Sequence, residues 1–219
     1  MKKFILFVYL LVPFIVLSQM TYVPDDNFEA YLEANGMGDG ITNNDSVRTV
    51  AIDTVTVLEV NNQSIADLTG IEDFISLQTL RCYINQLTSL DLSNNINLTY
   101  LNCGANNLTS LDLDNNIALT ALRCYSNQII SLDLTNNTSL VWLACNENQL
   151  TTLDLRNGNN TNLTVQFMIG NNPNLFCVDV DDPIWSTANW SNIDPWASFS
   201  SNCATEFGCT DITASNYEP

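Results

Sequence analysis

The chain of 219 residues contains no histidine and only six lysine and arginine residues, against 24 aspartate and glutamate residues. The absence of histidine excludes imidazole-based catalytic triads and the usual zinc sites. The only lysines, Lys2 and Lys3, lie at the very start, so no lysine further along the chain can act as a catalytic base. The formal net charge of -18 also argues against nucleic acid as a partner, because phosphate binding requires clustered Lys and Arg.

Long apolar runs are also scarce, and the one clear example is at residues 4–17, directly after the two lysines. A basic start, an apolar centre and a boundary at Ser18 predict a secretory signal peptide over residues 1–18. The run is too short to span a bilayer comfortably, although an N-terminal membrane anchor is the alternative. We expect a secreted or cell-surface protein without membrane insertion once the signal is removed.

The central part of the chain is a 21-residue repeat, each copy of which reads LxxLxCxxNxLxxLDL. The regular copies begin at Leu77, Leu98, Leu119 and Leu140. A unit this short cannot bury its apolar face alone, so the copies must stack into a solenoid. A degenerate unit at Leu58 and a divergent unit ending at Val180 bring the expected total to about six units of 21–23 residues.

This pattern resembles the leucine-rich repeat family, whose signature LxxLxLxxNxL has Cys here in place of the third Leu. The resemblance covers residues 57–180 and implies a right-handed, curved coil with few helices and a parallel β-sheet on its concave side. The segments YVPDDNFEAYLE, LTGIEDF, NQLTSLDLSNN and STANWSNID are similar to those of secreted bacterial leucine-rich repeat proteins. Many proteins of that kind are exported by a type IX secretion system.

Residues 19–56 are predicted to form an N-terminal cap, because an open solenoid end would expose its core. Asp25 and Asp26 can cap a short helix that carries Phe28 on its apolar side, and Gly36 is a plausible stop signal. The stretch 39–45 is rich in Asp, Asn and Gly but lacks the spacing of a calcium loop, so we interpret it as a polar loop.

Residues 181–206 are predicted to form a C-terminal cap, pinned by a disulfide between Cys177 and Cys203. Its tryptophans are expected to close the last repeat: Trp185, Trp190 and Trp196. Residues 207–219 include GCTDITASNY, which resembles the start of a small cysteine-closed module common in exported proteins. Cys209 is then the odd one of seven cysteines, and we expect its partner beyond Pro219 in a longer chain.

Three columns within the repeats are predicted to have structural roles. Inward-facing buried thiols, rather than disulfides or a metal ladder, are predicted for Cys82, Cys103, Cys124 and Cys145. A ladder of asparagines that satisfies turn backbone groups is predicted for Asn85, Asn106, Asn127, Asn148 and Asn171. An outward acidic column, relieved by backbone N–H groups and solvent, is predicted for Asp91, Asp112, Asp133, Asp154 and Asp179. Calcium between these carboxylates is the alternative, and no other cofactor is expected.

The remaining outward strand positions hold two of the four arginines that follow the signal and several large aromatics. The candidate ligand-binding residues of this concave face are Arg81, Tyr83, Tyr100, Arg123, Tyr125 and Trp142. Such residue types dominate interface hot spots, although aromatics also favour strands for purely structural reasons. These columns hold no acidic pair in the regular units, so we predict that the protein is not an enzyme. A module that binds a protein partner is the leading hypothesis, and a carbohydrate-binding module or a structural spacer are the alternatives.

Overall fold

The structure is a computed structural model that describes residues 19–164 and 166–206. The predicted signal peptide at residues 1–18 lies outside these residues. The predicted start of a further module at residues 207–219, which includes Cys209, also lies outside them. No helix in the described part of the chain is long and apolar enough to cross a membrane.

The N-terminal segment folds into the predicted helical cap. Its elements are β1 (Met20–Tyr22), α1 (Asp26–Ala34), β2 (Ser46–Arg48) and α2 (Thr49–Ile52). Helix α1 begins after Asp25, whose carboxylate accepts the backbone N–H groups of Asn27 and Phe28 at 3.0 Å. Phe28 is fully buried, and Gly36 follows the helix with a φ of 73°. The cap therefore covers the first repeat with an apolar helix face.

The acidic loop after α1 is closed by two glutamates of that helix. Glu29 is 1% exposed and accepts the backbone N–H groups of Asn44 and Asp45, both at 3.1 Å. Glu33 accepts the backbone N–H of Asp39 at 2.6 Å. The loop is thus tied to the helix through charge-assisted hydrogen bonds, which is how a buried carboxylate is satisfied here.

The repeats form two parallel sheets, one of six strands and one of four, of which the four-stranded sheet includes a strand of the C-terminal cap. The strands are β3 (Val57–Glu59), β4 (Thr79–Arg81), β5 (Tyr100–Asn102), β6 (Ala121–Arg123), β7 (Ser131–Asp133), β8 (Trp142–Ala144), β9 (Thr152–Asp154), β10 (Gln166–Met168), β11 (Cys177–Asp179) and β12 (Ser198–Ser200). Two short 3-10 helices are η1 (Ile71–Asp73) and η2 (Asn160–Asn162). The spatial order β3-β4-β5-β6-β8-β10 puts each unit beside its sequence neighbours, as expected of a stacked solenoid.

The core is a continuous column of leucines and cysteines behind the six-stranded sheet. The middle residue of each regular strand is fully buried, and Leu80, Leu101 and Leu122 lie in direct register. The four repeat cysteines are fully buried free thiols, which confirms the predicted inward column. Burial raises the pKa of the Cys103 and Cys145 thiols to about 12. It raises the pKa of the other two well above their ordinary value, with a smaller contribution from neighbouring thiols.

The predicted asparagine ladder is confirmed at its first four positions. Asn127 is representative, since its Nδ2 donates to the carbonyls of Cys103 and Cys124, both at 3.1 Å. Its Oδ1 accepts the backbone N–H of Leu108 at 3.0 Å. Each such side chain bridges two adjacent units and satisfies backbone groups that are buried away from solvent.

The fifth ladder position was predicted at Asn171, and this prediction is wrong by one residue. Asn172 is the buried member and donates to the carbonyls of Cys145 and Ile169, at 3.2 and 2.7 Å. Asn171 is exposed and has a φ of 61°. The residue before each ladder asparagine has a positive φ throughout the repeats: Ile84, Ala105, Ser126 and Glu147. Asn171 occupies that left-handed position, which asparagine tolerates better than most residues.

A second asparagine ladder, which the sequence analysis missed, lies on the other side of the core. Its members are Asn95, Asn116 and Asn137, each at most 1% exposed. Asn116 donates to the carbonyls of Leu92 and Asn95, at 3.1 and 3.0 Å. The signal was present, because an Asn-Asn pair recurs at 94–95, 115–116 and 136–137 with the same 21-residue period.

The acidic column faces outward as predicted, with Asp91 and Asp112 exposed. The Asp91 carboxylate accepts the backbone N–H of Ser93 at 2.9 Å, and this hydrogen bond to residue i+2 recurs in the next three units. The hydrogen bonds from Ser93 hold the pKa of Asp91 below its ordinary value. Backbone donors therefore stabilise these carboxylates, in agreement with the predicted interpretation.

The C-terminal cap is built around an aromatic cluster and contains the predicted disulfide. Helix α3 (Pro183–Asn189) and helix α4 (Cys203–Glu206) flank β12, and Cys177 is bonded to Cys203. Trp190 is 6% exposed and stacks on Phe167 with a centroid distance of 4.0 Å. Trp185 meets Trp190 edge to face at 5.6 Å. Trp196, by contrast, is 48% exposed, so its predicted role in closing the last repeat is wrong.

Candidate functional site

The candidate site is the outward side of the six-stranded sheet, which we call the sheet face. Strand register places its side chains in columns, since outward residues alternate with the buried leucines. The first column is Val57, Thr79, Tyr100, Ala121, Trp142 and Gln166, and the second is Glu59, Arg81, Asn102, Arg123, Ala144 and Met168. A third column lies two residues after the end of each regular strand and contains Tyr83, Gly104, Tyr125 and Asn146. All six predicted binding residues thus lie on one surface, half-buried.

Arg81 is neutralised by Glu59, a residue that was not predicted from the sequence to belong to the site. Its guanidinium forms an ion pair with Glu59 on the neighbouring strand, and it lies 5.2 Å from the ring centroid of Tyr100. The ion pair is about half exposed, with side-chain exposures of 42% and 48%, so it contributes little to stability. Glu59 could have been found by extending the columns to the degenerate first unit, where Leu58 pairs with Leu80.

Arg123 lies between two aromatic rings and has no acidic partner among the described residues. Its guanidinium carbon is 5.1 Å from the ring centroid of Trp142 and 5.9 Å from that of Tyr125. The Arg123 Nε and the Trp142 Nε1 are both buried donors without an acceptor in the described part of the chain. These rings hold the charged group in place through cation–π attraction while removing part of its water.

Gly104 makes room for Tyr125 in this cluster. A Cβ atom at Gly104 would lie 2.5 Å from Cε1 of the Tyr125 ring, closer than carbon atoms can approach. The backbone N–H of Gly104 donates to Oδ1 of Asn102 at 3.2 Å, and Asn102 is only 4% exposed. A small residue at one level of the solenoid thus allows a large ring at the next level to lie against the sheet.

The remaining predicted residue, Tyr83, is positioned on the sheet face but stands apart from the cation–π pairs. It makes no ring contact or side-chain hydrogen bond within the described residues. The structure therefore brings together two clusters: Arg81 with Tyr100, and Arg123 with Tyr125 and Trp142. Only the second carries an uncompensated positive charge.

One surface recess lies away from the sheet face. It has a volume of about 380 Å³ and lies over the acidic column, lined by Ser89, Asp91, Ser110 and Asp112 among others. The carboxylates of Asp91 and Asp112 already accept the backbone N–H groups of Ser93 and Asp114. We therefore place the candidate site on the sheet face, where the charged and aromatic groups that are unusual for this chain are concentrated.

Comparison with known proteins identifies internalin-like relatives. No protein-family model matches the chain. A stretch of 74 residues, 34% of this chain, is 41% identical to internalin J of Listeria monocytogenes serotype 4b (strain F2365) and corresponds to 8% of that protein. The solved functional domain of InlJ from Listeria monocytogenes, described as including a cysteine ladder, is 35% identical with a TM-score of 0.59; the match covers 74% of this chain and 38% of that domain.

A second solved structure, internalin C2 of Listeria monocytogenes strain 4b F2365, supports the fold alone. It is 21% identical with a TM-score of 0.50, and the match covers 82% of this chain and 98% of that one. The fold is a leucine-rich repeat solenoid similar to those of internalins, as the repeat pattern predicted. In this chain, the four repeat cysteines are buried at the same position of successive units.

Proposed function

We propose that this chain is a secreted or cell-surface, non-catalytic module that binds a protein partner through its sheet face. The observation that carries the proposal is the cluster of Arg123, Tyr125 and Trp142 on the face of a protein with a net charge of -18. Arginine, tyrosine and tryptophan are enriched among interface residues that contribute most to affinity. The guanidinium of Arg123, which forms no ion pair within the described residues, favours a partner that supplies an acceptor group.

Three features support binding over catalysis and over sugar recognition. The chain has no histidine, and the acidic residue in the strand columns, Glu59, is engaged by Arg81. Guanidinium groups cover a face of Tyr100, Tyr125 and Trp142, the surfaces on which a sugar ring would stack. The sheet face is therefore better suited to a protein with acceptor groups than to a carbohydrate.

Export is supported by the signal peptide predicted at residues 1–18 and by the disulfide between Cys177 and Cys203. Disulfides form and persist in oxidising compartments outside the cytosol. The similarity to internalin J covers a small part of that protein, so the proposal depends on the sheet face of this chain and on these two features.

The proposal is tested by probing arrays of purified extracellular proteins and of glycans with the purified chain, and by measuring Kd for each interacting molecule by surface plasmon resonance. We expect a protein to bind. Trp142→Ala should raise the Kd for that protein by about tenfold or more, as for a hot-spot residue. The matched control is Asn115→Ala, an exposed residue away from the sheet face, which should leave the affinity unchanged.

Three results would overturn this assignment. Binding to glycans alone, lost in Trp142→Ala, would favour a carbohydrate-binding module. Equal loss of protein binding in Trp142→Ala and Asn115→Ala would place the interaction elsewhere on the solenoid, and the absence of any binding would favour a structural spacer.

A further inference from the structure

Arg123 differs from the other described arginines because no hydrogen bond or ion pair joins its side chain to residues 19–164 or 166–206. Arg81 pairs with Glu59, and Arg156 pairs with Asp154 and lies 3.7 Å from a carboxylate oxygen of Asp179. Arg48 donates to the carbonyl of Asp39. The Arg123 guanidinium accordingly remains uncompensated in a chain that carries 24 acidic residues.

The surroundings of Arg123 favour an anion over water. Trp142 and Tyr125 lie beside the guanidinium, and its Nε is buried. The two terminal nitrogens, Nη1 and Nη2, are therefore the groups that remain for a ligand. A planar guanidinium held by two cation–π contacts loses little conformational entropy when it binds a carboxylate through two parallel hydrogen bonds. Partial removal of water also strengthens the attraction between opposite charges.

The neighbouring groups define which anion fits. In the same column Arg123 is followed by Ala144 and Met168, which are apolar, and is preceded by Asn102, which is neutral. The next arginine in the column, Arg81, lies two strands away, roughly 10 Å, and is already paired. One isolated cation on a strongly acidic protein suits a single carboxylate better than a polyanion, which the net charge of -18 repels.

We infer that Arg123, held between Tyr125 and Trp142, receives an acidic side chain of the protein partner. This inference rests on the proposed function, since it names the chemistry that the partner presents to the sheet face. Arg81, although of the same residue type in the same column, is not a receptor of this kind, because Glu59 already occupies it.

The inference is tested by NMR on the isotope-labelled chain, observing the guanidinium nitrogen signals of the arginines. The probe is N-acetylglutamic acid amide, and N-acetylglutamine amide at the same ionic strength is the uncharged control. We expect the Arg123 signals, assigned through Arg123→Lys, to shift saturably with the acidic probe and not with its amide. Signals of Arg81 should shift less. Trp142→Ala should weaken the apparent affinity by about threefold, the effect of losing one cation–π contact.

The inference is overturned if Arg123 responds no more than Arg81, or equally to both probes. That outcome leaves the proposed function standing as long as Trp142→Ala still weakens binding of a protein on the array. Conversely, a selective response of Arg123 combined with no protein binding would overturn the proposed function, and with it the assignment of the carboxylate to a partner.

Discussion

The interior of the solenoid carries the same residue at each regular level, whereas its sheet face changes from level to level. Inside, cysteine recurs in all four regular units, and each is fully buried. Outside, the equivalent positions of the first column hold Thr79, Tyr100, Ala121 and Trp142. Inward residues must fit between two near-identical neighbours, so stacking constrains them to repeat. Outward residues escape that constraint, which makes their particular chemistry informative about binding.

The largest expected effect on the free energy of unfolding is in alkaline solution, where the buried thiols of the interior lose their proton. Burial raises the pKa of the repeat thiols in the folded protein, whereas cysteine in an unfolded chain has a pKa of about 8.5. Their contribution to stability is therefore complete below about pH 8.5 and is lost as the pH rises towards about 12. Well above pH 8.5 the limiting slope is about 1.4 kcal/mol per pH unit for each thiol, so four thiols lower the free energy of unfolding by at most about 5 kcal/mol per pH unit.

Urea unfolding followed by circular dichroism between pH 8 and pH 10 measures this slope. Cys103→Ala should reduce it by about a quarter, because one titrating group is removed. An identical slope in that variant would show that other groups cause the alkaline loss.

The next largest effect is expected from the asparagine ladder. Asn127→Ala leaves the buried N–H of Leu108 without its acceptor. It also removes one of the two asparagine donors to each of the carbonyls of Cys103 and Cys124. We expect a loss of about 3 kcal/mol in the free energy of unfolding. The exposed Asn107→Ala is the matched control and should change it by less than about 0.5 kcal/mol. Similar values for the two variants in chemical denaturation would contradict the structural role of the ladder.

The 21-residue period was sufficient to predict a stacked solenoid. The resemblance to leucine-rich repeats then implied the parallel sheet, the inward thiols and the four regular ladder asparagines, which stacking repeats at each level. The period was insufficient where it breaks. The last unit is one residue out of phase, so Asn172 and not Asn171 is the buried member. The period also says nothing about which outward residues pair. The contact of Arg81 with Glu59 requires the register of an irregular unit, and the stacking of Arg123 depends on rotamers.

A smaller effect is expected from the exposed ion pair on the sheet face. Glu59→Gln removes the partner of Arg81 and should lower the free energy of unfolding by less than about 1 kcal/mol. The reduction should decrease further in high salt, which screens exposed charges. Thermal unfolding at low and high ionic strength checks this, and a loss as large as that of Asn127→Ala would erase the distinction between interior and face.

The smallest effect on stability is expected at Gly104. Gly104→Ala must displace the Tyr125 ring, but that ring is the outer end of a flexible, half-buried side chain and can turn away. We expect a change of less than about 1 kcal/mol, together with altered chemical shifts for Arg123 and Trp142. Unchanged shifts in NMR spectra would mean that Tyr125 does not belong to the cluster.

The central claim is that the sheet face serves binding and the interior serves stability, and Arg123→Gln tests it most directly. Affinity for the protein found on the array and the free energy of unfolding are measured on the same preparation. The predicted result is a Kd raised by about tenfold or more, with a free energy of unfolding within about 0.5 kcal/mol of the unmodified chain. An unchanged Kd, or a loss of stability comparable to that of Asn127→Ala, would contradict the account.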